Sequence, residues 1–261
     1  MALAPPEALA RGVYTASAGN MAQGVAWNAR RLGIPCTVVV PDHAPEAKLS
    51  AIERLGGEIV KVPMERWWQV IVEHHYPGIE GLFIHPVADR AVIAGNGTIG
   101  LEILEDLPDA DAVLVPWGGG GLSCGIASAV RALRPATKVF GCEADTAVPL
   151  AASLAAGRPV AVDYTPSFVD GIGARSLLPE MWPLAKRLIA GSLVSSLDEI
   201  ASALRLLVTR ARVVAEGAGA TCVAAALSGR AGSGQVVCVV SGGNIDPGVL
   251  ATILRGQTPR S

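Results

Sequence analysis

Three short runs in this sequence are poor in side chains and rich in backbone donors: Ser17-Ala18-Gly19-Asn20, Gly118-Gly119-Gly120-Gly121 and Ser241-Gly-Gly-Asn244. The middle run carries the strongest chemical signal. Branched apolar residues from 112 to 117 predict a buried strand, the glycines remove every Cβ from the turn, and Leu122 to Leu133 has helical spacing. A strand, a glycine loop and a helix in series let backbone N–H groups converge on one point, where the helix dipole adds positive potential; a phosphate suits that geometry best. A tight strand-to-helix corner is the plainer alternative, but four consecutive glycines exceed what a corner requires. The G-x-G-x-x-G dinucleotide spacing is not clearly present, and no Lys-Ser or Lys-Thr follows the last glycine as in a Walker loop.

The elements that must position these runs alternate along the chain. Residues 12–17 predict a strand, 20–32 a helix closed by Gly33, 34–41 a strand, 45–55 a helix closed by Gly56, and 58–62 a strand. A helix over 65–75, a short strand over 81–85 and a helix over 88–105 follow, the last expected to begin irregularly around Gly95-Asn96-Gly97-Thr98. Beyond the glycine loop come a strand at 137–143, a helix at 148–156, a proline-bearing loop at 158–166, and helices near 180–190 and 198–212. The turn Glu216-Gly-Ala-Gly219, a helix at 220–227, a strand at 235–240 and a helix at 247–254 complete the pattern. Repeated β-α units mean an α/β fold with open, twisted, mostly parallel sheets and flanking helices. A hinge near residues 95–100 divides it into a smaller α/β domain over 9–96 and a larger one over 97–255, with a tail at 256–261. Ligands of such sheets sit beyond the carboxyl ends of the strands, so the three runs could line one cleft.

Bulk properties exclude several classes. With 261 residues and a net charge of −2, nothing favours nucleic acid or an anionic membrane surface as partner. The five cysteines, Cys36, Cys124, Cys142, Cys222 and Cys238, lie far apart without a C-x-x-C pair, and read as reduced core residues of a cytoplasmic protein. No apolar run approaches the roughly 18 residues of a membrane helix.

The motifs, taken together, resemble the fold-type-II pyridoxal-phosphate enzymes, specifically the threonine/serine dehydratase and serine racemase family. The matching words are Thr15-Ala-Ser-Ala-Gly-Asn-Met-Ala-Gln-Gly-Val-Ala26, His85-Pro86, Ile93-Ala-Gly-Asn-Gly-Thr-Ile-Gly-Leu-Glu-Ile103, Gly118-Gly-Gly-Gly-Leu122, Asp170-Gly171, Glu216-Gly-Ala-Gly-Ala220 and Ser241-Gly-Gly-Asn244. The resemblance implies a tryptophan synthase beta-like fold and pyridoxal 5'-phosphate (PLP) as cofactor, its phosphate on Gly118, Gly119, Gly120, Gly121 and Leu122. It further implies Asn20 beside the phenolic oxygen of the pyridine ring, Ser241 facing the ring nitrogen, and Gly171 and Glu216 lining the pocket. Ser17, Ala18, Gly19 and Asn20 would take the carboxylate of an amino acid substrate. The activity implied is that of an ammonia-lyase turning a β-hydroxy amino acid, threonine or serine, into a 2-oxo acid and ammonia; a homodimer is compatible with the family.

The sequence also departs from the family. Relatives hold the cofactor as a Schiff base on a lysine in a Ser-Phe-Lys type motif upstream of the strand matched here by residues 12–17, and none of Lys48, Lys61, Lys138 and Lys186 has that context. The N-terminal segment of the larger domain, with its catalytic lysine, is expected to be missing. The chain alone is then expected to lack elimination activity, or to be a non-catalytic remnant or PLP-binding module. Ala18 stands where racemases carry a proton-relaying serine, which favours dehydration over racemisation. Met21 and Trp117 stand where histidine and a smaller residue are common. Of the cation ligands some relatives use, Glu143 and Ala147 match but Pro149 replaces an aspartate, so no metal site is expected.

Overall fold

The computed structural model describes residues 1, 4–44 and 46–259. Pro45, the expected first residue of one helix, and Arg260 and Ser261 of the expected tail lie outside the described residues. Contacts divide the chain into two compact units, Met1–Val92 and Ile93–Ser261.

In the first unit, α1 (Pro6–Leu9) precedes β1 (Val13–Ala16), α2 (Asn20–Leu32), β2 (Cys36–Pro41), α3 (Glu46–Arg54), β3 (Glu58–Val62), α4 (Met64–Glu73) and β4 (Leu82–Phe83). The strands form a parallel sheet in the order β3-β2-β1-β4, with Val13 paired to Cys36 on one side and Leu82 on the other. Val38 and Val40 on β2 and Ala22, Val25, Ala26 and Ala29 on α2 are buried together. The alanines make this helix thin on the side that meets the sheet. It ends where predicted, because Gly33 adopts the left-handed conformation at φ 68° and its N–H returns to the carbonyls of Ala29 and Arg30.

Helix α5 (Arg90–Asp106) runs across the division between the units. The second unit continues with β5 (Ala112–Pro116), α6 (Gly121–Leu133), β6 (Lys138–Ala144) and α7 (Pro149–Ala156). A 3-10 turn at Pro179–Met181 leads into α8 (Trp182–Leu188), β7 (Gly191–Ser195) and α9 (Leu197–Leu206), which passes into a π-helical turn at Leu207–Ala211. Then come α10 (Gly217–Leu227), β8 (Val236–Cys238) and α11 (Pro247–Leu254). All paired strands are parallel, in the order β7-β6-β5-β8, so the strand that feeds the glycine loop is an inner one. Its residues Val113, Leu114 and Val115 are fully buried, as a strand covered by helices on both faces must be.

Two expectations need correction. Strand β7 was not among the predicted elements; Gly191, Ser192 and Ser195 dilute its apolar pattern, and pairing with β6 supplies what local propensity does not. Helix α5 is continuous through Gly95–Thr98 rather than irregular, because Gly97 and Gly100 admit the backbone of α6: a Cβ on Gly100 would stand 2.9 Å from the carbonyl oxygen of Ile126.

Candidate functional site

In the second unit, backbone donors gather at the carboxyl end of β5. The amide of Trp117 donates to the Cys142 carbonyl at 2.8 Å, which ties the strand end to β6. The chain then turns through Gly118–Gly120 into α6. Gly120 has φ 95°, a left-handed conformation that a side chain rarely tolerates, and it stands at the N-cap of this 13-residue helix. The Ser123 hydroxyl, fully buried, donates to the Pro116 carbonyl at 2.9 Å and closes the turn from within.

Every amide from Gly118 to Ser123 finds no acceptor among the described residues; the first backbone bond of the turn is Cys124 N–H to the Gly120 carbonyl at 2.8 Å. Buried amides need acceptors, and a left-handed residue leading into a helix makes successive N–H groups converge. An anion with several oxygens is the ligand that completes this loop.

Three further sequence-predicted residues lie in the same unit. A Cβ on Gly118 would be 3.6 Å from Ile172, so the glycine loop abuts the segment carrying Gly171. A Cβ on Gly171 would be 3.0 Å from Glu216 Oε1, which places the Glu216 carboxylate against that segment. Glu216 is the N-cap of α10 and is 3% exposed, a buried acid rather than a solvated helix end. Its amide donates to the Gly242 carbonyl at 2.9 Å, and a Cβ on Gly219 would be 3.3 Å from the Ser241 amide nitrogen. Gly118–Leu122, Gly171, Glu216 and Ser241 are thus linked through adjacent segments of one body.

Ser17–Asn20 belongs to the first unit, where it joins β1 to α2. The Ser17 hydroxyl accepts from the Gly19 amide at 3.3 Å, and Gly19 is the N-cap of α2, which opens at Asn20. This is also a strand end followed by the positive end of a helix.

Glu143 has a different task. Its carboxylate accepts from the amides of Leu150 and Ala151 at 2.8 and 2.9 Å and from the Ser192 hydroxyl at 2.6 Å, holding the head of α7 to the sheet. Burial pushes its pKa above the ordinary carboxylate value, and the three donors only partly oppose that. The cysteines are free; burial raises the thiols of Cys36 and Cys238 to about 11 and that of Cys124 to about 12, which makes them poor nucleophiles at neutral pH.

Of the four lysines, Lys138 and Lys186 lie in the second unit with the glycine loop. Lys138 opens β6 and pairs with Ala112 at the amino end of β5, roughly 13 Å of extended chain from Pro116. Lys186 lies over the Trp182 ring on α8 at 5.9 Å. In the first unit Lys61 pairs with Glu46 at 3.6 Å, and Lys48 is on α3.

The sequence reading missed the part of Ser123, which looked like one more small residue in a helix of small residues. The signal was its place two residues after the last glycine, where a hydroxyl reaches back to the strand.

An open parallel sheet with an anion-completing loop at the carboxyl end of an inner strand defines a phosphate-binding α/β protein. The chain belongs to the pyridoxal-phosphate dependent enzyme family, whose family model matches residues 2–242. It is 41% identical over 255 residues to the L-threonine ammonia-lyase of Geobacter sulfurreducens, covering 96% of this chain and 63% of that protein. To the L-threonine ammonia-lyase of Thermotoga maritima it is 41% identical over 248 residues, covering 94% of this chain and 61% of that protein. The chain therefore spans about three fifths of the length of these two relatives. Among solved structures, maize serine racemase superposes with a TM-score of 0.85 at 32% identity, covering 97% of this chain and 79% of that one. The fold is the tryptophan synthase beta-like arrangement of fold type II, and the cofactor of this family is PLP.

Proposed function

We propose that this chain carries the cofactor- and substrate-binding parts of a PLP-dependent ammonia-lyase for a β-hydroxy amino acid of the threonine or serine type, the reaction that gives a 2-oxo acid and ammonia. The observation that carries the reading is the row of unmet amides from Gly118 to Ser123 at the head of α6, which fits the phosphate of the cofactor. The threonine ammonia-lyases named above support the substrate class.

Each residue then has a task that its chemistry allows. Gly118, Gly119, Gly120, Gly121 and Leu122 hold the phosphate through backbone N–H groups. Asn20 would serve the phenolic oxygen and Ser241 the ring nitrogen, and Gly171 and Glu216 would line the cofactor's surroundings. A hydroxyl at Ser241, unlike a carboxylate, does not hold a proton on the ring. Ser17 and the amides of residues 18–20 bind the carboxylate of the substrate at the positive end of α2. The methyl group of Ala18 cannot move a proton, so that position supplies no second acid or base, and elimination is favoured over racemisation. PLP, when bound, supplies the electron sink that makes the α-proton acidic.

A second reading concerns the chain by itself. None of its four lysines has the Ser-x-Lys context in which relatives hold the cofactor, so we propose that this polypeptide alone holds PLP without covalent attachment and shows negligible elimination. Equilibrium dialysis with PLP, followed by an assay of 2-oxo acid release from L-threonine and L-serine, tests both. Saturable uptake that inorganic phosphate competes away, with negligible product, is expected. Product at an enzyme-like rate refutes the second reading, and absence of uptake refutes the first.

A further inference from the structure

We infer that Trp117 is the positioning residue of the phosphate cradle, its indole ring setting the bend at Gly120 and its ring N–H completing the donor set beneath the bound anion. This rests on the PLP reading above and assigns a role that the glycine loop alone does not explain.

Trp117 is 1% exposed, and its side chain is the largest among those most fully buried. The ring lies directly under the turn: a Cβ on Gly120 would stand 2.6 Å from Cη2 and 2.9 Å from Cζ2 of the indole. Gly120 therefore has two reasons to be glycine, its φ of 95° and the ring that fills the space a side chain would need. On its other side the ring rests on β6, where a Cβ on Gly141 would come within 3.3 Å of Cε3 and 3.4 Å of the Trp117 Cβ. Two glycines thus give way to one indole, and the indole fixes the height of the loop above the sheet. A smaller residue at this position would leave the turn without a floor.

The ring nitrogen supplies the second, independent observation. Nε1 of Trp117 is buried and has no hydrogen-bond partner among the described residues. A buried indole N–H normally finds an acceptor. It is bonded to the ring carbon next to Cζ2, one of the atoms nearest Gly120, so it belongs to the same floor as the unmet amides. A phosphate oxygen, reached directly or through a water held under the loop, is the acceptor that completes it. The loop amides grip the anion from above the strand end, and the indole holds them in register.

The test compares the unmutated chain with W117F, which keeps a ring but loses the N–H, and with W117L, which loses the floor. Affinities for PLP, for pyridoxal without the phosphate, and for inorganic phosphate are measured by equilibrium dialysis, and the 31P resonance of bound PLP is recorded for each. For W117F the expected result is a loss of about two- to tenfold in affinity for PLP and phosphate, the size of one net hydrogen bond, with pyridoxal affinity unchanged and a displaced 31P resonance. W117L is expected to lose more, again selectively for the phosphorylated ligands. If the unmutated chain takes up PLP, and W117F and W117L take up PLP and phosphate as well as it does, or lose pyridoxal affinity in equal proportion, Trp117 is core packing and the inference falls. If the unmutated chain takes up no PLP at all, the cofactor reading itself fails, and this inference with it.

Discussion

The amide of Glu216 donates to the carbonyl of Gly242 at 2.9 Å, which makes the head of α10 and the loop after β8 a single backbone assembly. Gly243 is held in the same assembly, since a Cβ there would meet the Val214 carbonyl oxygen at 2.8 Å. Neither backbone can yield without moving the other. A G243A variant is therefore expected to lose about 1–3 kcal/mol of stability by overpacking and to shift Ser241. If Ser241 serves the cofactor ring, PLP affinity falls by about tenfold, the equivalent of 1.4 kcal/mol. Thermal melting and equilibrium dialysis on the same preparation check both, and undiminished affinity in a destabilised variant separates Ser241 from the cofactor.

Helices α5 and α6 approach through glycine rather than through side chains. A Cβ on Gly125 would come 2.4 Å from the Ile93 carbonyl oxygen and 2.8 Å from the Asn96 Cβ, whereas one on Gly95 would meet nothing within 4 Å. The two positions should respond to alanine with opposite signs. G125A is expected to cost about 1–3 kcal/mol, and G95A to gain about 0.5–1 kcal/mol by its higher helix propensity. Urea unfolding of the two variants measures this. Equal effects would mean that the helices are not in backbone contact.

This pair also shows what the sequence could and could not say. Gly95 to Gly100 reads as a weak helix start, because the local cost of glycine is visible in the sequence while the neighbouring backbone that requires Gly97 and Gly100 is not. Where a constraint is local, the reading holds: Gly33 closes α2, Glu58–Val62 is a strand, and Pro247–Leu254 is a helix. Where pairing supplies the order, as in β7, the local pattern is silent. The glycine loop was legible because its chemistry is in the backbone. The identity of Trp117 was visible, but its place under Gly120 depends on the strand-to-helix turn and has no sequence signature.

Glu143 gives a pH dependence of definite sign. Burial raises its folded-state pKa above the unfolded value of 4.5, so the folded chain holds this proton more tightly. The stability it contributes is then fully present below the unfolded value and is lost as pH rises through the raised one. Glutamine cannot titrate, and with one acceptor oxygen it leaves a donor among Leu150, Ala151 and Ser192 unmet, at about 1–3 kcal/mol. The stability advantage of the natural chain over E143Q should therefore narrow between pH 4.5 and pH 8. Chemical denaturation at the two pH values decides it, and an advantage that widens with pH would place the controlling charge elsewhere.

Two glycines of the cradle, 118 and 120, differ in what an alanine would meet. At Gly118 the added methyl finds Ile172 at 3.6 Å, an ordinary contact, and the backbone is not left-handed. At Gly120 it meets the indole of Trp117 at 2.6 Å, on a backbone with φ 95°. Stability should change by no more than about 0.5 kcal/mol in G118A. In G120A, strain and overpacking together should remove about 2–3 kcal/mol. Because the strained residue is the one that turns the amides toward the anion, G120A should also abolish PLP uptake, while phosphate still competes with PLP in G118A. Melting curves and dialysis of both variants test this. A G120A chain that melts and binds like the natural one would show that the turn is free to relax, so that the convergence of amides at the head of α6 could not be what selects a phosphorylated ligand.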